Sequence, residues 1–129
     1  MTGRYLLDTN IVIALFAAEE SVTQHLRVAA QVFVPSIVLG ELYYGAQNSL
    51  KVAENLARIE MFRAANAILS CDATTARHYG ELKADLKRAG TPIPENDIWI
   101  AAIARQYALV LGSRDQHFAR VSTVTSEIW

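Results

Sequence analysis

Short apolar runs alternate with longer segments of mixed polarity along the chain. The short runs predict four buried strands, at residues 4–7, 32–34, 67–70 and 109–111, and the pattern near the end predicts a fifth at 121–124. The longer segments predict six helices, at residues 11–18, 21–30, 36–46, 50–65, 73–88 and 96–107. Short strands alternating with helices are typical of an α/β protein whose parallel sheet is covered by helices on both faces.

Polar residues, glycine and proline mark the predicted ends of these elements. Asp8-Thr9-Asn10 offers N-cap chemistry to the first helix, and Ser36 and Asp72 are expected to cap the third and fifth helices. Gly90 is expected to end the fifth helix. Pro92-Ile93-Pro94 then forms a rigid connector into the last helix.

Composition indicates one compact domain, spanning residues 1–129, that can bury a substantial core. Hydrophobic residues make up 52% of the sequence and charged residues 19%. The formal net charge of -1 counts mildly against passive coating of nucleic acid, which basic proteins usually perform. It leaves open an enzyme whose acidic pocket is neutralised by metal.

Cysteine usage and hydropathy indicate a reducing, aqueous compartment. Cys71 is the single cysteine, so an internal disulfide and a cysteine-rich zinc site are excluded, and we expect it to be a small buried residue. The longest apolar stretch, 11–18, is shorter than the roughly 20 residues that span a bilayer, and the start resembles no signal peptide. We expect a soluble cytoplasmic protein without a membrane partner.

Four acidic residues lie on otherwise apolar stretches. Asp8 follows the first strand, Glu41 lies inside an apolar helix, Asp97 opens the last helix, and Asp115 follows the fourth strand. A lone buried carboxylate is costly or is forced to become neutral. The four placements therefore predict carboxylates that converge on a divalent cation.

The predicted topology brings most of these acids to one edge. Sites in open parallel sheets form outside the carboxyl ends of the strands, where Asp8 and Asp115 lie, and Glu41 is near the start of the helix after strand two. Asp97 opens the helix that leads back into strand four, an orientation that would place it at the opposite edge. The Pro92-Ile93-Pro94 connector is therefore expected to carry that helix across the sheet.

Each acid also has a structural interpretation. Asp8 could serve only as an N-cap, although Thr9 and Asn10 are available for capping, and Asp115 could cap a short helix through Phe118. Asn96 could cap the last helix, which leaves Asp97 for the site. Glu41 shares a helix face with apolar residues and is the hardest to explain as a surface charge.

Other catalytic constellations are not apparent in the sequence. The three histidines, His25, His78 and His117, lack a second ligand at zinc-binding spacing and are expected at the surface or in packing. His117 is the one that could touch the pocket, because it is two residues from Asp115. No glycine-rich phosphate loop, serine elbow or cysteine–histidine pair is found.

The four acids stand in four ordered segments that cover nearly the whole chain: Leu6-Leu7-Asp8-Thr9-Asn10, Ser36 with Glu41-Leu42 and Gly45, residues 92–97 with Ile100-Ala101-Ala102, and residues 113–118. With them the chain resembles the PIN-domain ribonucleases, and most closely the VapC toxins of bacterial toxin–antitoxin pairs. Ser113 stands where a threonine is common in that family, and it keeps the hydroxyl.

The resemblance implies a three-layer α/β/α sandwich with a parallel sheet of four to five strands, and RNA cleavage that depends on Mg²⁺ or Mn²⁺. It places the catalytic and metal-binding carboxylates at Asp8, Glu41, Asp97 and Asp115. We expect three neighbours, Thr9, Asn10 and Ser113, to hold these carboxylates, and Arg114 to contact RNA phosphate.

The resemblance also implies partners. These are a VapB-type antitoxin that blocks the site, promoter DNA bound only through the toxin–antitoxin complex, and a second copy in a homodimer. The predicted antitoxin-docking surface is the apolar region around Phe16, Tyr43, Tyr44 and Phe62, for which burial in the core is an equally good interpretation.

Two alternatives remain from the residues alone. One is a receiver-like signalling module, which needs paired acids after the first strand and a lysine after the last strand, and neither is seen. The other is a catalytically silent, metal-binding regulatory domain.

Overall fold

Five parallel strands form one sheet in the computed structural model, which describes residues 2–129. The strands are β1 (Thr2–Leu7), β2 (Ala29–Pro35), β3 (Ala67–Leu69), β4 (Val110–Ser113) and β5 (Ser126–Ile128), in the order β3-β2-β1-β4-β5. The helices are α1 (Thr9–Phe16), α2 (Glu20–Val28), α3 (Ser36–Gln47), α4 (Val52–Ala65), α5 (Ala73–Ala89) and α6 (Glu95–Gln106), followed by a 3₁₀ helix at Gln116–Arg120. The predicted three-layer α/β/α class is confirmed. Within residues 2–129, no helix is both long and apolar enough to cross a membrane.

The middle of the sheet and α6 form the centre of the core. Leu6 of β1 pairs with Phe33 of β2 on one side and with Leu111 of β4 on the other, and Leu6 and Leu111 are fully buried. Helix α6 is buried along most of its length, and its run of small residues (Ala101, Ala102 and Ala104) lets its backbone pack closely. The first turn of α6, which carries Asp97, is thereby held in a fixed position.

The fifth strand is not where the sequence pattern predicted it. Residues 121–124 follow the 3₁₀ helix as a turn in which Val121 accepts a hydrogen bond from the Val124 N–H at 3.2 Å, and the strand itself is Ser126–Ile128. Both valines are buried in the core without joining the sheet. Apolar residues that anchor a turn therefore produced a strand-like pattern.

Several predicted boundaries and caps change. Helix α1 begins at Thr9 with Asp8 as its N-cap, two residues earlier than predicted. Ser36 is the first residue of α3 and follows Pro35, so the predicted Ser36 cap is wrong. The Asp72 cap is confirmed, because its carboxylate accepts the Thr75 N–H at 3.0 Å.

Two further expectations are also wrong. Strand β2 begins at Ala29, so α2 ends at Val28 and the predicted boundary at residue 30 moves. Cys71, expected to be buried beside the third strand, is exposed in the link between β3 and α5.

Helix α5 explains how Asp97 reaches the site edge. The start of α5 lies beside the end of α6, where the Gln106 side-chain amide donates to Asp72 at 3.0 Å. Further along α5, Lys83 reaches Glu95, in the first turn of α6, at 3.1 Å. The two helices are antiparallel neighbours, so the connector only turns from one to the other. The start of α6 lies at the carboxyl edge of the sheet, because Asp97 is 3.4 Å from His117, just after β4. The prediction that the Pro92-Ile93-Pro94 connector crosses the sheet is therefore wrong.

The turn after α5 offers a paired test of this connection. Gly90 ends α5 in the left-handed region, with φ of 70°, whereas Gly80 lies inside the same helix with open space at its Cβ position. We expect Gly90→Ala to lower the free energy of unfolding by about 1 kcal/mol, and Gly80→Ala to raise it by about 0.5–1 kcal/mol. Urea unfolding of both variants measures this. If both substitutions change the free energy of unfolding equally and in the same direction, the assigned turn is contradicted.

Candidate active site

The four predicted acids come from four different elements and meet at the carboxyl edge of the sheet. Asp8 follows β1, Asp115 follows β4, Asp97 lies in the first turn of α6, and Glu41 lies on α3. Hydrogen-bonded neighbours link them: Ser113 bridges Asp8 and Asp115, and Thr9 bridges to Glu41.

Asp8 is the most buried of the acids, with only 5% of its surface exposed. One carboxylate oxygen accepts the Ser113 hydroxyl at 2.7 Å, and the other accepts the Thr9 N–H at 2.8 Å. Burial raises the pKa of Asp8, these two hydrogen bonds lower it in part, and the charge of Asp115 raises it further. Asp8 is therefore both the cap of α1 and a member of the acidic group.

Glu41 approaches Asp8 from α3. The Thr9 hydroxyl donates to the Glu41 carboxylate at 3.0 Å, and Thr9 is also the first residue of α1. Burial raises the pKa of Glu41, the Thr9 hydrogen bond opposes that shift, and the charge of Asp8 adds to it. A cavity of about 600 Å³ opens beside Glu41, and Thr9, Tyr44 and Asn96 help to line it.

Asp97 has a strongly raised pKa. Burial raises its pKa to about 6, and the charges of Asp8 and Asp115 add to the shift while His117 opposes it. Its side chain is only 14% exposed. Asn96, the predicted cap, lies inside α6, which begins at Glu95, so that cap prediction is wrong.

Asp115 caps the 3₁₀ helix, as its structural interpretation expected, and it also faces the site. Its Oδ1 accepts the His117 N–H at 2.9 Å and so caps the 3₁₀ helix, and its own N–H donates to the Ser113 hydroxyl at 2.9 Å. Phe118, in the same 3₁₀ helix, is fully buried and anchors this turn to the core.

His117 lies inside the acidic group, whereas the sequence favoured a surface or packing role. Its Nδ1 is 3.0 Å from Asp115 Oδ1 and 3.4 Å from Asp97 Oδ2. The signal in the sequence was its spacing of two residues from Asp115, because a capping aspartate brings the residue at that distance back toward its own carboxylate.

Asn10 and Arg114 form a second layer behind the acids. The side-chain oxygen of Asn10 accepts the Arg114 N–H at 3.3 Å, so this contact joins Asn10 to the segment after β4 and not to a carboxylate. The Arg114 guanidinium pairs with Glu19 at 2.9 Å and donates through Nε to the backbone oxygen of Trp129 at 3.1 Å.

Only part of the predicted docking surface, formed by four aromatic residues, is exposed. Phe62 is buried and packs edge to face against the half-buried Phe16, so the interpretation as core applies to Phe62. Tyr44 is 73% exposed. A groove of about 390 Å³ between α1, α3 and α4 is lined in part by Phe16 and Arg58, and Glu41 lies at its border with the acidic site.

The donor atoms suit a divalent cation. One ligand atom each from Asp97, Asp115 and His117 lies within 4.8 Å of the other two, and Asp8 is close enough to Asp97 for its charge to raise the pKa of that carboxyl. Mutual repulsion of partly buried carboxylates is relieved by a bound cation. Oxygen-rich sites of this kind fit Mg²⁺ or Mn²⁺.

Comparisons with known proteins give the class. The model of the PIN domain family matches residues 5–124. Ribonuclease VapC2 of Haemophilus influenzae is 40% identical over 129 residues, which cover 98% of each chain. The tRNA(fMet)-specific endonuclease VapC of Shigella flexneri is 34% identical over the same share of both. In the crystal structure of VapBC2 from Rickettsia felis bound to a DNA fragment from their promoter, one chain matches with a TM-score of 0.88, 30% identity and coverage of 97% of this chain and 98% of that one.

The chain therefore belongs to the PIN-domain family. Its relatives within that family are VapC ribonucleases, and its structural neighbours include VapBC toxin–antitoxin complexes. The resemblance inferred from the four acidic segments is confirmed, and the receiver-like alternative is left without support.

The raised pKa of Asp97 predicts a pH-dependent stability of the metal-free protein. Because the folded protein holds this proton up to about pH 6 while the unfolded chain releases it near the ordinary value of 3.8, Asp97 destabilises the fold increasingly as pH rises through that window. We expect Asp97→Asn to raise the free energy of unfolding at about pH 7.5 by on the order of 2 kcal/mol, and much less at about pH 4.5.

Urea unfolding in chelator at both pH values measures the effect. Glu54→Gln removes an exposed acid on α4, 3.8 Å from Lys51, and serves as the control with little change at either pH. The same stabilisation by Asp97→Asn at both pH values would contradict the electrostatic account.

Proposed function

We propose that this chain is the ribonuclease toxin of a VapBC-type pair and that it cleaves RNA with Mg²⁺ or Mn²⁺ held by Asp8, Glu41, Asp97 and Asp115. The observation that carries the proposal is the convergence of these four carboxylates, from four elements, at one partly buried edge. The ribonuclease names of the VapC relatives support the activity.

A divalent cation held by these carboxylates would activate a water and neutralise charge on the phosphate. The chain's own residues hold that site in shape. The Ser113 hydroxyl donates to the Asp8 carboxylate and accepts the Asp115 backbone N–H, while the Thr9 hydroxyl donates to the Glu41 carboxylate. Two hydroxyls therefore orient two carboxylates and hold the backbone of a third acid. The cavity of about 600 Å³ lined by Glu41 gives a substrate phosphate room beside that carboxylate.

The proposed partners follow from the relatives. RNA is the substrate, and the name of the Shigella relative makes a tRNA a reasonable first candidate. A VapB-type antitoxin restrains the activity in the cytoplasm, and the complex binds promoter DNA, as VapBC2 from Rickettsia felis does in its crystal structure. Two apolar surfaces are available to the antitoxin or to a second copy in a homodimer. One is the groove that Glu41 borders, and the other is the exposed Tyr44.

The direct test of the catalytic assignment is Asp8→Asn. The amide keeps the size of the side chain and its capping oxygen but removes the charge, so we expect RNA cleavage to fall by at least about a hundredfold while the fold is retained. Cleavage of a tRNA pool in Mg²⁺ or Mn²⁺ measures the activity, and thermal unfolding measures whether the fold is retained. Glu54→Gln is the control of equal charge change. Undiminished metal-dependent cleavage by Asp8→Asn would refute the proposal. Absence of cleavage by the unmodified protein as well would favour the catalytically silent regulatory domain.

Arg114 remains a predicted RNA contact, although its guanidinium is paired with Glu19 in this structure. If RNA phosphate replaces Glu19, Arg114→Ala lowers the slope of log affinity against log salt by roughly one, and Glu19→Gln strengthens RNA binding. Binding titrations at several salt concentrations, with the cleavage-deficient Asp8→Asn as background, measure both. An unchanged slope in Arg114→Ala, together with unchanged RNA affinity in Glu19→Gln, would assign Arg114 to structure alone.

A further inference from the structure

One imidazole stands among the carboxylates of the proposed site. His117 Nδ1 faces two acids from different elements, Asp115 at 3.0 Å after β4 and Asp97 at 3.4 Å on α6. One donor atom from each of these three residues lies within 4.8 Å of the other two, which is compact enough for a single ion to contact all three.

The position of this ring is fixed by its surroundings. Asp115 Oδ1 accepts the backbone N–H of His117 at 2.9 Å, and the neighbouring Phe118 is fully buried. The side chain is 39% exposed, so a ring that carries its proton on Nε2 can have that N–H satisfied by water. The lone pair of Nδ1 is then directed at the space between the two carboxylates.

We propose that His117 is a nitrogen ligand that makes the metal site of this chain prefer divalent transition-metal ions, such as Mn²⁺ and Co²⁺, over Mg²⁺. This inference rests on the proposed function, because it concerns the same cation. It adds a ligand of a different chemical kind to the four carboxylates.

The preference follows from ligand chemistry. Mg²⁺ binds oxygen, keeps several of its waters and gains little from imidazole, whereas affinity for nitrogen donors rises along the first-row transition metals. Four carboxylates alone attract any small divalent cation. The imidazole is the one donor in the group that distinguishes between them.

A purely structural role gives a different outcome. If His117 acts only as a hydrogen-bond donor that orients Asp97 and Asp115, its removal disturbs the oxygen ligands and weakens Mg²⁺, Mn²⁺ and Co²⁺ by similar factors. The ratio of affinities, rather than any one affinity, separates the two roles.

The experiment measures metal binding to the metal-free protein without RNA. Mn²⁺ affinity is obtained by electron paramagnetic resonance of the free ion, Mg²⁺ affinity by competition with Mn²⁺, and Co²⁺ affinity from its visible absorption bands. The variants are His117→Asn and His117→Gln. The control is His25→Asn, at a ring that stacks on Trp129 instead of facing the acids.

We expect both His117 variants to bind Co²⁺ and Mn²⁺ more weakly, by about tenfold or more for Co²⁺, with Mg²⁺ changed by less than about threefold. The Co²⁺ absorption bands should shift in both variants and stay unchanged in His25→Asn.

Three results would overturn the inference. Equal weakening of all three ions would assign His117 a positioning role, and unchanged Co²⁺ bands and affinities would remove it from the site. In both cases Mg²⁺ binding that is lost in Asp8→Asn would leave the proposed function standing. Failure of the unmodified protein to bind any of the three ions would refute both proposals.

Discussion

The burial of mutually repelling carboxylates at one edge of the sheet is the constraint on which the surrounding structure depends. Asp8 is nearly buried, Asp97 lies close enough to feel its charge, and burial raises the pKa of both. A fold selected for stability alone gains nothing from such crowding. The cation of the proposed function, held in common by the acids, would account for this arrangement.

Two rigid supports keep the acids together against this repulsion. Ser113 is itself buried, so its hydrogen bonds to Asp8 and Asp115 are not exchanged with water. Helix α6 is buried along most of its length, so its first turn cannot move Asp97 away without disturbing the core. The site is therefore built on the end of β1 and on helices α3 and α6, with Asp115 and His117 on a shorter, capped segment.

The sequence predicted most of this arrangement, and its errors have physical reasons. Asp8 and Asp115 could be placed at the site edge because a strand end fixes position locally. Asp97 could not be placed in this way. The edge of the sheet at which it lies depends on the direction of α5, which is set by tertiary packing against α6. For His117 a surface or packing role was favoured over contact with the pocket, because its ring position depends on a 3₁₀ turn that has no helical periodicity. The displaced fifth strand has a related cause, because burial of Val121 and Val124 imitates a strand pattern.

Whether these acids share a divalent cation can be seen by anomalous diffraction from crystals of this protein grown with Mn²⁺. We expect one or two anomalous peaks at the carboxyl edge, within about 2–2.6 Å of carboxylate oxygens of Asp8 or Asp97 or bridged to them by water, and absent in crystals of Asp8→Asn. Well-ordered acids with no peak among them at saturating Mn²⁺, or a peak that persists unchanged in Asp8→Asn, would contradict the shared cation.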